Sequence, residues 1–181
     1  MKFIGIIPAR YSSTRLPGKP LAMIGNKPMI QHVYERASEV LTEVWVATED
    51  QRIMDAVEAF GGKAVMTSAE HRTGTDRCAE VAMRMAESGD VIVNIQGDMP
   101  FITPESIRLL CGCFNDPATE IATLAAPFGT AEDMLVPHKV KVLVEEDGWA
   151  YNFSRAPIVK DPGCHGSQEG WLASNYKHIG I

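Results

Sequence analysis

Three basic side chains lie close together in a short loop that follows the first apolar run of the chain. The run extends from Lys2 to Ile7, and the loop after it carries Arg10, Arg15 and Lys19 with Gly18 and several hydroxyl residues. Cations and free backbone N–H groups in one loop favour binding of a polyphosphate. The loop has no Gly-Lys-Ser/Thr and no Gly-x-Gly-x-x-Gly, so it is neither a Walker loop nor a dinucleotide fingerprint. The alternative is a solvated, charged surface loop.

A single carboxylate, Asp98, follows another apolar run, Val91 to Ile95. A carboxylate at the end of a buried strand loses hydration unless a cation faces it. Mg²⁺ with bound phosphate is a natural partner, because hard cations take one or two carboxylates plus phosphate oxygens. The alternatives are that Asp98 caps its loop or pairs with a basic residue. Together with the basic loop, Asp98 indicates metal-dependent chemistry on a nucleotide.

Two other polar segments carry weaker signals. Gly74, Thr75 and Arg77 lie at the start of a predicted helix, where small residues let a base approach and an arginine can reach phosphates. The alternative is a helix cap followed by a surface arginine. Arg155 lies between an apolar run and Pro157, which suits recognition of a carboxylate, and a structural ion pair is the alternative.

The elements that must position these residues alternate between strand and helix as far as about Thr119. After the first strand, apolar runs at 44–47, 64–66 and 91–95 predict strands, and helical spacing follows each of them. Asn26 is expected to cap the first helix, with Pro28 just inside it. The pattern predicts an α/β fold with a doubly wound, mostly parallel sheet, in which ligands bind at the carboxyl ends of strands.

The remaining sequence predicts further strands. They are expected at Ile121–Ala125, at Val140–Glu145 with a hairpin partner at Trp149–Phe153, and at the last residues, from Asn175 onward. The chain stops inside this last strand pattern, so we expect the polypeptide to continue. We treat 1–181 as a single domain.

Composition excludes several classes of protein. Apolar residues make up 45% and charged residues 22% of 181 residues, which excludes a disordered or fibrous chain. The net charge of −6 argues against nucleic-acid binding and against an anionic membrane surface. The first apolar run is too short for a signal peptide, and the four cysteines are irregularly spaced, so we expect reduced thiols and a cytoplasmic protein.

The same segments resemble the 3-deoxy-manno-octulosonate (Kdo) cytidylyltransferases, also called CMP-Kdo synthetases. The resemblance runs in order along the whole chain, through Ile7–Leu21, Lys27–Ala37, Val46–Asp50, Met66–Ser68, Gly74–Arg77, Asn94–Asp98, Phe153–Ile158 and His178–Ile181. It implies a nucleotide-diphospho-sugar transferase (GT-A-like) fold. It also implies that CTP and Kdo are joined to give CMP-Kdo and pyrophosphate for lipopolysaccharide synthesis, with Mg²⁺ as cofactor and a homodimer as the assembly.

The resemblance also implies residue roles. Arg10, Lys19 and Asp98 would be catalytic, Asp98 would ligate Mg²⁺, and Arg155 and His178 would face the sugar acid. The CTP site would comprise Pro8, Arg10, Arg15, Lys19, Gly74, Thr75, Arg77 and Gln96. Residues 120–181 would form the sugar-binding and dimerisation side.

Two departures from the family leave alternatives open. Met99 replaces the family's usual glutamate beside Asp98, which removes a second carboxylate. Family members are longer, and their remaining segment supplies another Mg²⁺-binding aspartate. The alternatives are a cytidylyltransferase for another sugar acid, such as a sialic acid or 8-amino-Kdo, and a non-catalytic nucleotide-binding remnant. The missing dinucleotide fingerprint argues against an NAD-dependent oxidoreductase.

Overall fold

The computed structural model describes residues 1–12, 16–145, 147–158 and 175–181. The chain divides into two compact units, one formed by Met1–Glu120 with Ile181 and the other by Ile121–Gly180. None of the helices described is both long and apolar enough to cross a membrane.

The first unit alternates strands and helices as predicted. In chain order its elements are β1 (Phe3–Ala9), β2 (Met23–Ile24), β3 (Lys27–Pro28), α1 (Met29–Ser38), β4 (Glu43–Thr48), α2 (Gln51–Ala59), β5 (Ala64–Met66), α3 (Gly74–Met85), β6 (Val91–Asn94) and α4 (Pro104–Gly112). Short 3₁₀ turns at Lys19–Leu21 and Cys113–Asn115 complete it.

The main sheet of this unit is wholly parallel, with the strand order β5-β4-β1-β6. From β1 the chain moves to β4 and β5 on one side and then returns to β6 on the other side of β1. The order therefore reverses between β1 and β6, and the loops that follow these two strands leave the same edge of the sheet. This arrangement confirms the predicted α/β fold with a parallel sheet.

Alternate residues of β1 bury opposite faces of the sheet. Ile4 and Ile6 pack with Cys78 and Val81 of α3 in one apolar cluster. On the other face, a side chain at Gly5 would collide with Leu41, which follows α1, at 2.8 Å. Helices therefore cover both faces, which is why β1 is apolar without alternation.

Asn26 does not cap α1, so that prediction was wrong. The strands β2 and β3 pair in an antiparallel ladder, with Gly25 and Asn26 in the turn between them. Gly25 adopts a positive φ of 63°, as tight turns require. Pro28 then occupies the N-cap position of α1 and its side chain forms no capping hydrogen bond.

The second unit holds an antiparallel sheet with the order β7-β10-β8-β9. Its elements are β7 (Leu124–Pro127), α5 (Ala131–Leu135), β8 (Lys141–Val144), β9 (Ala150–Ser154) and β10 (Asn175–Ile179). The predicted hairpin of β8 and β9 is confirmed. The strand predicted at Ile121–Ala125 begins later, because its ladder with β10 starts at Leu124. The short helix α5 was not predicted.

Candidate functional site

A cavity of about 210 Å³ lies at the carboxyl ends of β1 and β6. Open α/β sheets bind ligands at such a switch point because the loops that leave the two strands diverge there. Nine residues from the β1 loop, the start of α3 and the segment after β6 line it: Pro8, Ala9, Arg10, Lys19, Pro20, Gly74, Gln96, Gly97 and Asp98. Six of them belong to the site predicted from the sequence.

Two described residues predicted for the CTP site, Thr75 and Arg77, do not line the cavity. Thr75 is exposed on α3 beside Gly74. Arg15 lies outside the described residues. Arg77 is buried, with 1% of its side chain exposed.

Lys19 and Asp98 form an ion pair in the cavity, with 2.5 Å between Nζ and Oδ2. The two side chains are 37% and 54% exposed. An ion pair this open to water contributes only about 0–1 kcal/mol to stability. A ligand that offers phosphate to Lys19 and a cation to Asp98 can therefore replace the pair at little cost.

Two glycines let the backbone close around Pro8. A Cβ at Gly97 would lie 2.9 Å from the carbonyl oxygen of Pro8, and a Cβ at Gly74 would lie 3.1 Å from its ring. Real Cβ atoms essentially never come as close as the first of these distances. Any larger residue at Gly97 must therefore displace the β1 backbone or the segment that carries Asp98.

The start of α3 is fixed by a capping box. The hydroxyl of Thr73 accepts from the backbone N–H of Asp76, and the carboxylate of Asp76 accepts from the N–H of Thr73. The Thr73 hydroxyl and its backbone N–H hold the pKa of Asp76 below its usual value. The N–H groups of Gly74 and Thr75 belong to the first turn, which has no carbonyls of its own helix to receive them. They are available to an anion at the cavity wall.

Arg10 is oriented by the segment before α3. Its Nη2 donates to the carbonyl oxygen of His71 at 2.5 Å. The ring of His71 pairs with Glu80, which also accepts from the backbone N–H of Ser68 and from Arg84. The Ser68 N–H and then His71 lower the pKa of Glu80, so this carboxylate stays ionised. Nothing in the residue pattern indicates this role, because Glu80 resembles an ordinary surface residue of a helix.

Arg77 contacts protein side chains through both of its terminal nitrogens, whereas its Nε is buried and has no hydrogen-bond partner among the described residues. Its Nη2 lies 2.8 Å from Oε2 of Glu49, and its Nη1 donates to the hydroxyl of Thr67. Burial lowers the pKa of Arg77, and the charge of Glu49 opposes that shift. Arg77 is thus not the surface residue that one interpretation of the sequence predicted. Sequence reasoning missed Glu49, whose only signal is a carboxylate at the end of a buried strand.

The two residues predicted for the sugar acid belong to the second unit. In the ladders of this sheet, Lys141 pairs with Ser154 on one side and with Lys177 on the other. These three residues form one row across neighbouring strands. Arg155 follows Ser154 and His178 follows Lys177, so both lie near the same end of the sheet. Arg155 is exposed. His178 bonds the hydroxyl of Thr123 at 2.9 Å, and burial lowers its pKa.

The Arg155 segment is held by two buried polar side chains. Lys141 Nζ donates to the carbonyl oxygens of Arg155 at 2.8 Å and of Val136 at 2.7 Å. The amide of Asn175 accepts from the N–H of Ile158 and donates to its carbonyl oxygen. Lys141 and Asn175 are fully buried, so the backbone around Arg155 has a fixed position within this unit.

Comparison with known proteins gives a consistent result. The sequence pattern of the cytidylyltransferase family matches residues 4–162. A relative from Parabacteroides distasonis, named 3-deoxy-manno-octulosonate cytidylyltransferase, is 53% identical over all of this chain and 74% of its own length. A relative of the same name from Phocaeicola vulgatus is 51% identical, also over the whole chain and 73% of its own length. The chain thus spans about three quarters of these relatives.

Solved structures agree with the sequences. The structure of CMP:2-keto-3-deoxy-manno-octonic acid synthetase complexed with CTP matches all of this chain and 73% of its own, with a TM-score of 0.89 and 45% identity. A nucleotidyl transferase from Methanothermobacter thermautotroptrophicus shares the fold, with a TM-score of 0.53 at 17% identity, over 61% of this chain and 57% of its own. The chain therefore belongs to the cytidylyltransferase family, and within it to the group of 3-deoxy-manno-octulosonate cytidylyltransferases.

Proposed function

We propose that this chain transfers the cytidylyl group of CTP to Kdo, which activates the sugar acid for lipopolysaccharide synthesis. The anomeric hydroxyl oxygen of Kdo forms a bond to the α-phosphorus of CTP. The bond between the α-phosphorus and the oxygen that bridges it to the β-phosphorus breaks, and pyrophosphate leaves. The hydroxyl proton of Kdo passes to solvent. The reaction needs no nucleophilic side chain, because positioning and charge stabilisation supply most of the catalysis in such transfers.

The observation that carries the proposal is the convergence of Arg10, Lys19 and Asp98 on one cavity at the switch point of the sheet. Arg10 and Lys19 would hold the triphosphate, together with the N–H groups at the start of α3. When CTP binds, Lys19 would release the carboxylate of Asp98 and pair with a phosphate oxygen. Gln96 and Gly74, which line the same cavity, would contact the cytidine.

The proposal includes Mg²⁺ as a cofactor held by Asp98. The carboxylate of Asp98, which lines the cavity, is a donor of the kind that hard cations prefer, so the residue present fits the ion. The described parts of the chain contain no cluster of three or more His, Cys, Asp or Glu side chains, so phosphate and water oxygens would complete the coordination. Bound there, Mg²⁺ would offset the negative charge of the phosphates.

We assign recognition of the sugar acid to the second unit. Arg155 would pair with the carboxylate of Kdo, because a guanidinium matches a carboxylate with two parallel hydrogen bonds. His178 would contact the sugar as a neutral ring, since burial lowers its pKa.

We further propose a homodimer that acts in the cytoplasm. Among the described strands β9 lies at an edge of its sheet and exposes Tyr151 and Phe153, with Trp149 just before it. Exposed aromatic residues on a sheet edge favour pairing with another chain. The described cysteines, Cys78, Cys111 and Cys113, are unpaired, as is usual in a reducing compartment.

Release of pyrophosphate from CTP tests the proposed reaction. The protein is incubated with Mg²⁺, CTP and either Kdo, 8-amino-Kdo, N-acetylneuraminate or no acceptor. We expect release with Kdo and none without an acceptor. Release only with another sugar acid would reassign the substrate, and CTP binding without release from any acceptor would leave a nucleotide-binding module.

The variant Asp98→Asn tests the catalytic assignment, with Asp55→Asn, an exposed carboxylate on α2, as its control. We expect Asp98→Asn to lower kcat by about 100-fold or more, because charge stabilisation at the phosphates is lost. Asp55→Asn should keep the rate of the unmodified chain. Equal rates for the two variants would contradict the role of Asp98.

A further inference from the structure

The loop that carries Arg10 and Lys19 is closed at Tyr11. The carbonyl oxygen of Tyr11 accepts from the backbone N–H of Gly18 at 2.8 Å, which joins the start of the loop to its end. Gly18 adopts a positive φ of 69°, and a Cβ there would lie 3.1 Å from the Tyr11 ring. The two cations of the candidate site, Arg10 and Lys19, flank this closure, so their positions depend on Tyr11.

Tyr11 is in turn held from the end of β4. Its backbone N–H donates to Oε1 of Glu49 at 3.2 Å. Its ring lies under the guanidinium of Arg52, with 3.3 Å between Cζ and the ring centroid, and Arg52 is fixed by Asp50. Glu49 therefore fixes the backbone of Tyr11, and Arg52 covers its ring.

Glu49 depends on Arg77. The buried guanidinium pairs with Oε2 of Glu49 and donates to Thr67, whose own hydroxyl donates to the carbonyl oxygen of Thr48. One carboxylate thus bridges the buried arginine and the backbone of the loop. A mostly buried carboxylate that lost its arginine would have no compensating charge and would move toward water.

We propose that Arg77 and Glu49 are positioning residues, which hold the phosphate-binding loop through the backbone N–H of Tyr11. Arg77 acts on CTP from behind the loop, and its guanidinium does not touch the nucleotide. The inference rests on the proposed function in so far as the loop binds the triphosphate of CTP. It differs from the role that the family resemblance implies for Arg77, which is direct contact with the nucleotide.

The test uses Glu49→Gln, Arg77→Met and the double variant Glu49→Leu/Arg77→Met. Two quantities are measured: hydrogen exchange of the Tyr11 and Gly18 amides without ligand, and the dissociation constant for CTP with Mg²⁺ by calorimetry. The control is Cys78→Ala, which removes a buried side chain from the same helix without touching Glu49 or Tyr11. The double variant matters because replacing both members of a buried ion pair by apolar residues often preserves stability.

We expect all three variants to bind CTP about tenfold more weakly, because the loop loses a charge-assisted hydrogen bond. The Tyr11 amide should exchange at least about tenfold faster in each of them, and Cys78→Ala should change neither quantity. A double variant that folds, binds CTP normally and protects the Tyr11 amide would overturn the proposal, because Arg77 and Glu49 would then be merely structural. Normal CTP binding by Glu49→Gln with weak binding by Arg77→Met would also overturn it, in favour of direct contact.

Amide exchange is measured without a substrate, so this test is separable from the proposed reaction. If the unmodified chain releases no pyrophosphate, the proposed function fails. The positioning role still stands or falls on the exchange rates of Tyr11 and Gly18.

Discussion

Gly97 lies so close to the carbonyl oxygen of Pro8 that a Cβ would not fit between them, and the contact joins the ends of β1 and β6. The phosphate-binding loop begins just after Pro8, and Asp98 follows Gly97 directly. A single substitution at Gly97 therefore acts on both halves of the candidate site.

We expect Gly97→Ala to destabilise the chain by about 1–3 kcal/mol, the usual cost of forcing extra atoms into a packed site. It should also weaken CTP binding. The control is Gly112→Ala at the end of α4, where a Cβ meets nothing within 4 Å and φ is an ordinary −62°. Urea unfolding and CTP titration measure both effects. Unchanged stability and affinity in Gly97→Ala would contradict the close approach.

His178 should make stability depend on pH. Burial lowers its pKa below the ordinary value of 6.5. At a pH between the lowered pKa of the folded state and 6.5, the unfolded chain binds more protons than the folded chain. The free energy of unfolding therefore falls as the pH drops below about 6.5. We expect His178→Gln to lose part of the difference in unfolding free energy between pH 7.5 and pH 5.5. An unchanged difference would show that His178 keeps its proton affinity on folding.

Residue types and spacing were sufficient to predict that Arg10, Lys19 and Asp98 meet at the cavity, because parallel strands bring their carboxyl ends to one edge. They were not sufficient for Arg77. Its burial depends on Glu49 and Thr67, which lie 28 and 10 positions earlier in the chain. Tertiary pairing of this kind leaves no periodic signal in a single sequence.

At the scale of elements, α3 and α4 begin in the same way. Thr73 and Thr103 each accept a hydrogen bond from the backbone N–H three residues later, at 3.1 and 3.2 Å. Only the start of α3 lines the cavity among the described residues. The two caps are therefore a matched pair for separating stability from binding.

We expect Thr73→Ala and Thr103→Ala each to cost about 1 kcal/mol in unfolding free energy, the usual value of an N-cap. Thr73→Ala alone should weaken CTP binding, because the N–H groups of Gly74 and Thr75 lose their fixed orientation. Equal loss of CTP affinity in both variants would show that binding follows overall stability and not the start of α3.

Periodicity predicted the long elements well and the short ones poorly. The helices α2, α3 and α4 follow the strands after which helical spacing predicted them, because apolar spacing and capping residues agree there. Asn26 was misplaced because β2 and β3 have only two residues each, too few to show a pattern. The start of β7 is set by its pairing with β10, which lies about fifty residues later and is not visible locally.

At the scale of the whole molecule, the proposed CTP residues that the structure describes fall in the first unit, and Arg155 and His178 fall in the second. CTP with Mg²⁺ should raise the melting temperature by mass action. At a CTP concentration about 100 times the dissociation constant, the free energy of unfolding rises by about 2.7 kcal/mol. This corresponds to roughly 5–10 °C in melting temperature for a chain of this size. We expect EDTA to remove most of this shift, as followed by calorimetry or circular dichroism. An equal shift in EDTA would contradict the cation at Asp98.

The proposed reaction forms a bond between Kdo and the α-phosphorus of CTP. Phosphorus NMR of a mixture of protein, Mg²⁺, CTP and Kdo observes that bond directly. We expect the three CTP signals to give way to one phosphodiester signal and one pyrophosphate signal of twice its intensity, because pyrophosphate contains two equivalent phosphorus atoms. Unchanged CTP signals, or release of inorganic phosphate without a phosphodiester, would contradict it.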